Sequence, residues 1–232
     1  MSDTRENNAA EWDKYWRGKN ESTIVAPGPY DRIASFYRNR LIRPTLNYFI
    51  AKHFASGSRL VHAGCGSGEV DGDLVSSMKI SAIDISPEAL KCYRRNHPSV
   101  SDVKQCSIMD LSFATDSMDG IYNLGVMEHF SEPQIQDILT EFHRVLIPGG
   151  KIVLLWPPVF GLSVLGLHII HFTMKWIFRN PTRLHPDEPS KIRSKKNAVL
   201  LLNAAGFQLI EFGFGSRDFF TYAVIVGQKT PA

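Results

Sequence analysis

The stretch LVHAGCGSGEVD, Leu60 to Asp71, constrains this chain more than any other. Gly64, Gly66 and Gly68 alternate directly after a short apolar run, which reads as a strand feeding a turn with almost no side chains. Glycine permits a tight turn and close approach of a ligand, and a helix that follows begins with free N–H groups. A turn that merely lets strand and helix pack closely is the plainer alternative. The spacing disfavours two kinds of nucleotide. No Lys followed by Ser or Thr comes after the glycines, so the triphosphate-binding loop fails. Glu69 stands where the dinucleotide fingerprint needs a third small residue, and an acid at a helix start repels pyrophosphate. The spacing favours a ligand with an adenosine part and no phosphates. Asp84 closes the next apolar run, AIDIS, beside the glycine turn, where a carboxylate can accept both hydrogens of a ribose diol. A helix cap or solvated loop aspartate is the alternative there.

Around this unit, short apolar runs alternate with helical patterns. RLVHA, KISAIDIS, VKQCSI, MDGIYNLGV and GKIVLLWP read as strands, the last apolar enough to be covered on both faces. Helices are expected at Val70 to Met78, over PEALKCYRRN, and over SEPQIQDILTEFHRVL with Ser131 as N-cap. The alternation predicts an α/β fold: an open, mostly parallel, Rossmann-like sheet with helices on both faces. A helix over KNAVLLLNAAGF and two runs, FQLIEFGFG and FFTYAVIVGQK, predict an antiparallel strand pair at the end. Trp12, Tyr15 and Trp16 are spaced for one helix face, and Pro44 predicts a break between two helices over Arg32 to Phe54. We therefore divide a single domain, 1–232, into a helical flap and lead-in (1–54), a ligand-binding core (59–157) and a cap insertion (158–196).

At this point the chain resembles the class I S-adenosylmethionine-dependent methyltransferases, over roughly Arg59 to Pro157. AGCGSG, AIDIS, SIMDLSF, DGIYNLGVMEHF and LIPGGKIVLLWP agree with that family in order and separation. The resemblance implies that Gly64, Cys65, Gly66 and Gly68 hold the methionine part of S-adenosylmethionine, that Asp84 holds the ribose and that Ile85 flanks the adenine. Ser107 stands where an aspartate usually bonds the adenine amino group, with Ile108 as its apolar neighbour; Asp110 takes that role if the register shifts locally. Asn123, Leu124 and Gly125 fall at the ligand end of the fourth strand. His62 occupies a position commonly acidic, where the side chain orients the turn and the cofactor's ammonium end, and Glu69 is a candidate for the missing negative field.

Methyl transfer by in-line attack on a sulfonium requires placement more than machinery, although a neutral amine or alcohol gains from a base. His129 and Glu128 are the nearest ionisable pair, and a capping role is their alternative. Trp12, Tyr15, Trp16, Tyr30, His168 and Arg217 are the candidate acceptor contacts, two apolar lids implying an acceptor with nonpolar surface. No metal site is expected. The expected activity is methylation of an oxygen or nitrogen of a small-molecule or lipid-like acceptor. The alternatives are a protein, peptide or nucleic-acid methyltransferase and a non-catalytic cofactor-binding module. A net charge of +3 gives no strong nucleic-acid signal. Three cysteines without paired spacing suit a cytoplasmic location. The apolar segment 159–178 contains His168, His171 and Lys175 and reads as a buried or interfacial helix rather than a span, with peripheral membrane contact as an alternative.

Overall fold

The computed structural model of the protein describes residues 9–19, 32, 35–161 and 189–230. Its centre is a seven-stranded sheet: β1 (Arg59–Ala63), β2 (Lys79–Asp84), β3 (Val103–Gln105), β4 (Met118–Leu124), β5 (Leu146–Trp156), β6 (Phe207–Gly213) and β7 (Ala223–Lys229). The order across the sheet is β3-β2-β1-β4-β5-β7-β6. The first five strands are parallel, and β7 runs antiparallel to both β5 and β6, as the terminal apolar runs predict. The order in which strands are added reverses between β1 and β4, so the carboxyl ends of those parallel strands open a crevice.

Helices cover both faces because strand side chains alternate. Val61, Ile121, Ile152 and Leu154 point one way, against α4 (Glu132–Val145) and α5 (Lys195–Ala204), whose Ile135, Leu139, Phe142 and Leu202 are buried. Leu60, Tyr122, Val153 and Leu155 point the other way, against Leu46, Phe49 and Ile50 of α2 (Arg43–His53). On that side α3 (Pro87–Asn96) buries Leu90 and Tyr93 against β2. Ser131 opens α4 as expected, its backbone N–H donating to the Gln134 side chain at 2.9 Å.

Three expectations are corrected. No helix runs from Val70 to Met78: a turn leads into a single 3₁₀ turn at Leu74–Ser76, because Asp71 has its side chain drawn into the interior and Gly72 and Asp73 are poor helix formers. Pro44 does not separate two helices. A π-helical turn, Arg38–Ile42, widens the coil ahead of it, and the chain stays helical through Pro44 into α2. The third strand stops at Gln105, with Cys106 to Asp110 forming a tight turn bridged between Ser107 and Asp110.

Residues 9–19 form helix α1, and 35–37 are helical ahead of the π turn. After β5 the chain departs at Pro158 and returns at Ile192, the two joined by a parallel bridge. Tyr30, His168 and most of the cap insertion lie outside the described residues.

Candidate active site

The glycine turn is built against the end of β2. The N–H groups of Gly64 and Cys65 both donate to the Ile83 carbonyl at 2.9 Å, and Gly66 N–H donates to Asp84 Oδ2 at 2.9 Å. Gly64 and Gly66 have φ of 75° and 52°, in the left-handed region that glycine occupies freely. A Cβ on Gly64 would stand 2.8 Å from Val126 Cγ2, so the turn also touches the segment beyond β4. On its far side the turn is braced by α3: Asn96 donates to the Ser67 carbonyl at 2.9 Å, and His97 Nε2 lies 2.7 Å from the Gly68 carbonyl.

Asp84 is buried, with one oxygen bonded to Gly66 N–H and the other to Ser86 N–H. Burial pushes its carboxyl up against the pull of those donors. Each oxygen keeps a second lone pair, so two ribose hydroxyls remain within its capacity. Cys106 N–H donates to the Asp84 carbonyl at 3.1 Å, which sets Ile85 beside Ser107 and the buried Ile108. The Ser107 hydroxyl accepts from Met109 N–H at 3.2 Å and has one lone pair left; Asp110 is exposed at the same turn. Burial and the neighbouring Asp84 charge push the Cys65 thiol well up, so it stays neutral within the turn.

The opposite wall follows β4. Asn123 is wholly buried, and neither of its amide atoms has a hydrogen-bond partner among the described residues. Gly125 has φ 65°, and a Cβ there would lie 3.4 Å from Glu128 Oε1 and 3.6 Å from the Tyr222 hydroxyl. Glu128 and His129 sit in a 3₁₀ turn, Met127–His129, that Ser190 ties down by donating to the Met127 carbonyl at 3.1 Å. Helix α1 spans the two walls. Trp12 meets the His129 ring edge-on with centroids 4.9 Å apart, whereas Trp16 lies on the turn itself, 2.7 Å from a Cβ built on Gly66. Tyr15 stacks edge-on between them, 5.6 Å from each. Asp13 fastens the helix, accepting from the Ser86 hydroxyl at 3.1 Å.

A cavity of about 270 Å³ adjoins this wall, lined by Thr45, Phe49, Phe214, Arg217, Asp218 and Tyr222 among others. Arg217 stacks on Tyr48, 3.8 Å from the ring centroid. Burial pushes the Asp218 carboxyl up, and the same burial, with Asp218 nearby, pushes the Tyr37 phenol to about 12.

Glu69 does not supply the missing charge beside the turn. It pairs with Arg38 at 2.6 Å, so its charge is spent on the lead-in helix. The carboxylate that meets His62 is Asp71, 2.7 Å from Nδ1. Asp71 and Tyr222 are the functional candidates that sequence reasoning missed. Tyr222 could have been found from direction alone: a final antiparallel strand begins where its parallel neighbours end, at the ligand edge.

Residues 61–154 match the family model described as a methyltransferase domain. An uncharacterised methyltransferase of Synechocystis is 28% identical over 114 residues, 44% of this chain and 53% of that protein. A demethylmenaquinone methyltransferase of Symbiobacterium thermophilum is 27% identical over 117 residues, 46% of each chain. The chain thus spans about half the length of these curated relatives. Among solved structures, magnesium protoporphyrin IX methyltransferase of Synechocystis, with bound S-adenosylmethionine, superposes with a TM-score of 0.65 at 12% identity, covering 96% of this chain and 97% of that one. A methyltransferase of Methanosarcina mazei gives 0.61 at 20% identity, covering 79% and 98%.

Proposed function

We propose that this chain, a member of the class I S-adenosylmethionine-dependent methyltransferases, methylates an oxygen or nitrogen of a small-molecule or lipid-like acceptor. The cofactor's fit rests on a buried carboxylate, Asp84, with acceptor capacity to spare, beside a glycine turn whose Gly64 and Gly66 adopt left-handed φ and on which Val126 and Trp16 close. When bound, S-adenosylmethionine supplies an electrophilic methyl group on a sulfonium. The turn and Asp84 would hold its methionine and ribose parts, with Ile85, Ser107 and Ile108 around the adenine.

The chain's own residues then bring the acceptor into line and keep water out. Trp12 and Trp16 cover the two walls, which favours a desolvated reaction centre. His129 and Glu128, in the 3₁₀ turn beyond β4, are the residues this reading assigns to take the proton that an alcohol or amine gives up as its bond to carbon forms. The observation that carries the small-acceptor reading is Tyr222. It lines the cavity of about 270 Å³ and also reaches Gly125, so that recess adjoins the strand end where the methyl is expected.

Incubation of the protein with methyl-labelled S-adenosylmethionine and a fractionated extract tests this. Label is expected in low-mass, organic-extractable compounds. Label confined to protein or nucleic acid would replace this reading with its macromolecular rival.

A further inference from the structure

The chain enters β7 through a turn whose side chains the fold does not explain. Phe219 and Phe220 both have φ of 55°, in the left-handed region that glycine and asparagine take readily and a bulky side chain does not. Among the described residues the one other non-glycine there is Asp116, a residue type that tolerates it. The backbone shape itself is well held. Phe220 N–H donates to the Gly215 carbonyl at 2.9 Å, Asp218 Oδ2 accepts from Tyr222 N–H at 2.7 Å, and the Tyr37 phenol donates to the Asp218 carbonyl at 2.9 Å. That shape does not call for phenylalanine. Burial does not compensate for the strain either, since Phe219 is 63% and Phe220 38% exposed. Two strained, exposed phenylalanines in succession work against folding, which points to a use outside the folded chain.

The surface around them continues in kind. The Phe220 ring meets Phe214 with centroids 5.3 Å apart, and Phe214 meets the exposed Phe160 at 4.9 Å. Next to Tyr37 on the lead-in helix, Phe36 is exposed as well. Two cations belong to the same region: Arg217, two residues before Phe219, lies 3.8 Å from the Tyr48 ring centroid, and Arg40 lies 6.0 Å from that of Phe36. Both arginines are exposed, and neither pairs with a carboxylate among the described residues. The nearby acids are taken. Asp218 is buried, Glu69 pairs with Arg38, and Glu211 pairs with Lys52 and His53. Aromatic rings set beside unpaired arginines match the boundary between acyl chains and anionic headgroups. A second copy of this chain fits less well, because it would bring the same arginines against these.

We propose that the Phe219–Phe220 turn seats this chain on an anionic lipid surface, its rings entering the bilayer boundary while Arg217 and Arg40 meet lipid phosphates. Phe214 and Arg217 also line the cavity of about 270 Å³, so the seat leads to the recess beside Gly125. An acceptor held in the bilayer then has a route to the methyl group that avoids bulk water, a consequence that rests on the lipid-like acceptor reading above.

Co-sedimentation with vesicles, without S-adenosylmethionine, tests the seat. The wild type should bind vesicles of phosphatidylcholine mixed with phosphatidylglycerol about tenfold more tightly than vesicles of phosphatidylcholine alone. Phe219→Asn combined with Phe220→Asn should weaken binding to the anionic vesicles about tenfold or more, because two rings no longer enter the bilayer. The melting temperature of that variant should hold or rise, because asparagine takes this φ more readily than phenylalanine. Arg217→Gln should weaken binding about fivefold on anionic vesicles and leave neutral ones unchanged. A wild type that ignores both vesicles, or a double variant that binds them as the wild type does, would overturn the proposal. So would a double variant that melts earlier or fails to fold, since the rings would then serve packing. A wild-type dimer that the double substitution dissolves, with no vesicle binding, would assign the strip to a second copy and overturn the proposal. A wild type that seats on vesicles but does not bind S-adenosylmethionine would instead sink the methyl-donor reading and leave the seat standing.

Discussion

Gly64 is where backbone and packing make the same demand. Its φ of 75° costs an L-residue about 1–2 kcal/mol, and a methyl group there would stand 2.8 Å from Val126 Cγ2. Gly64→Ala should therefore lower the unfolding free energy by about 2 kcal/mol or more in denaturant titration, the overlap adding to the backbone strain. A loss below about 0.5 kcal/mol would show that the turn is looser than drawn. At this scale the sequence is readable where chemistry follows from residue type and spacing. The glycines and Asp84 are of that kind. Asp71 and Tyr222 are not, because an aspartate among loop residues looks solvated until Tyr93, Tyr122 and His62 from three other elements close around it. Glu69 fails for the same reason: its partner, Arg38, comes from the lead-in helix, 31 positions away in the chain.

Among elements, Ser86 is the joint. Its side chain accepts from Ala89 N–H at 3.2 Å, capping α3, and donates to Asp13 of α1 at 3.1 Å. Ser86→Ala removes both contacts and should cost about 1 kcal/mol of stability, as lost helix caps do; the unfolding midpoint measures it, and no change would mean that the cap is replaced by solvent. The strands other than β3 and the helices α3, α4 and α5 were legible because their apolar runs and periods are clean, whereas β3 pairs over only three residues before the turn at Cys106. The segment after Gly68 was not. It follows a helix-like apolar spacing, but tertiary demand for the Asp71 carboxylate overrides that period and leaves only the turn at Leu74–Ser76. The helical face of Trp12, Tyr15 and Trp16 was visible, whereas its docking partners, His129 and Gly66, belong to distant parts of the chain.

For the whole molecule, acid should unfold the protein by releasing the pairs that clip elements together. Hydrogen bonds from Arg43 hold Asp73 below its ordinary 3.8, and those from Arg59 do the same for Asp119. Glu141 and Glu211 are also lowered, although burial opposes the pull of Arg144 on the first and of Lys52 and His53 on the second. A carboxyl lowered on folding contributes stability that is complete above its unfolded value and is lost as pH falls through the folded one. Asp84 and Asp218 are raised by burial and work the other way, but they are outnumbered. The melting temperature should fall as pH is taken from about 5 to about 3, and a flat or rising profile would contradict this balance.

The sheet order, its reversed last strand and the crevice at the carboxyl ends all converge on one ligand at the glycine turn. The most direct measurement is calorimetric titration of S-adenosylmethionine into the wild type and into Asp84→Ala. One ligand should bind per chain, with affinity falling roughly 10- to 100-fold when the carboxylate and its charge-assisted bonds are removed. A wild type that ignores S-adenosylmethionine and binds NAD instead would contradict the account at its centre.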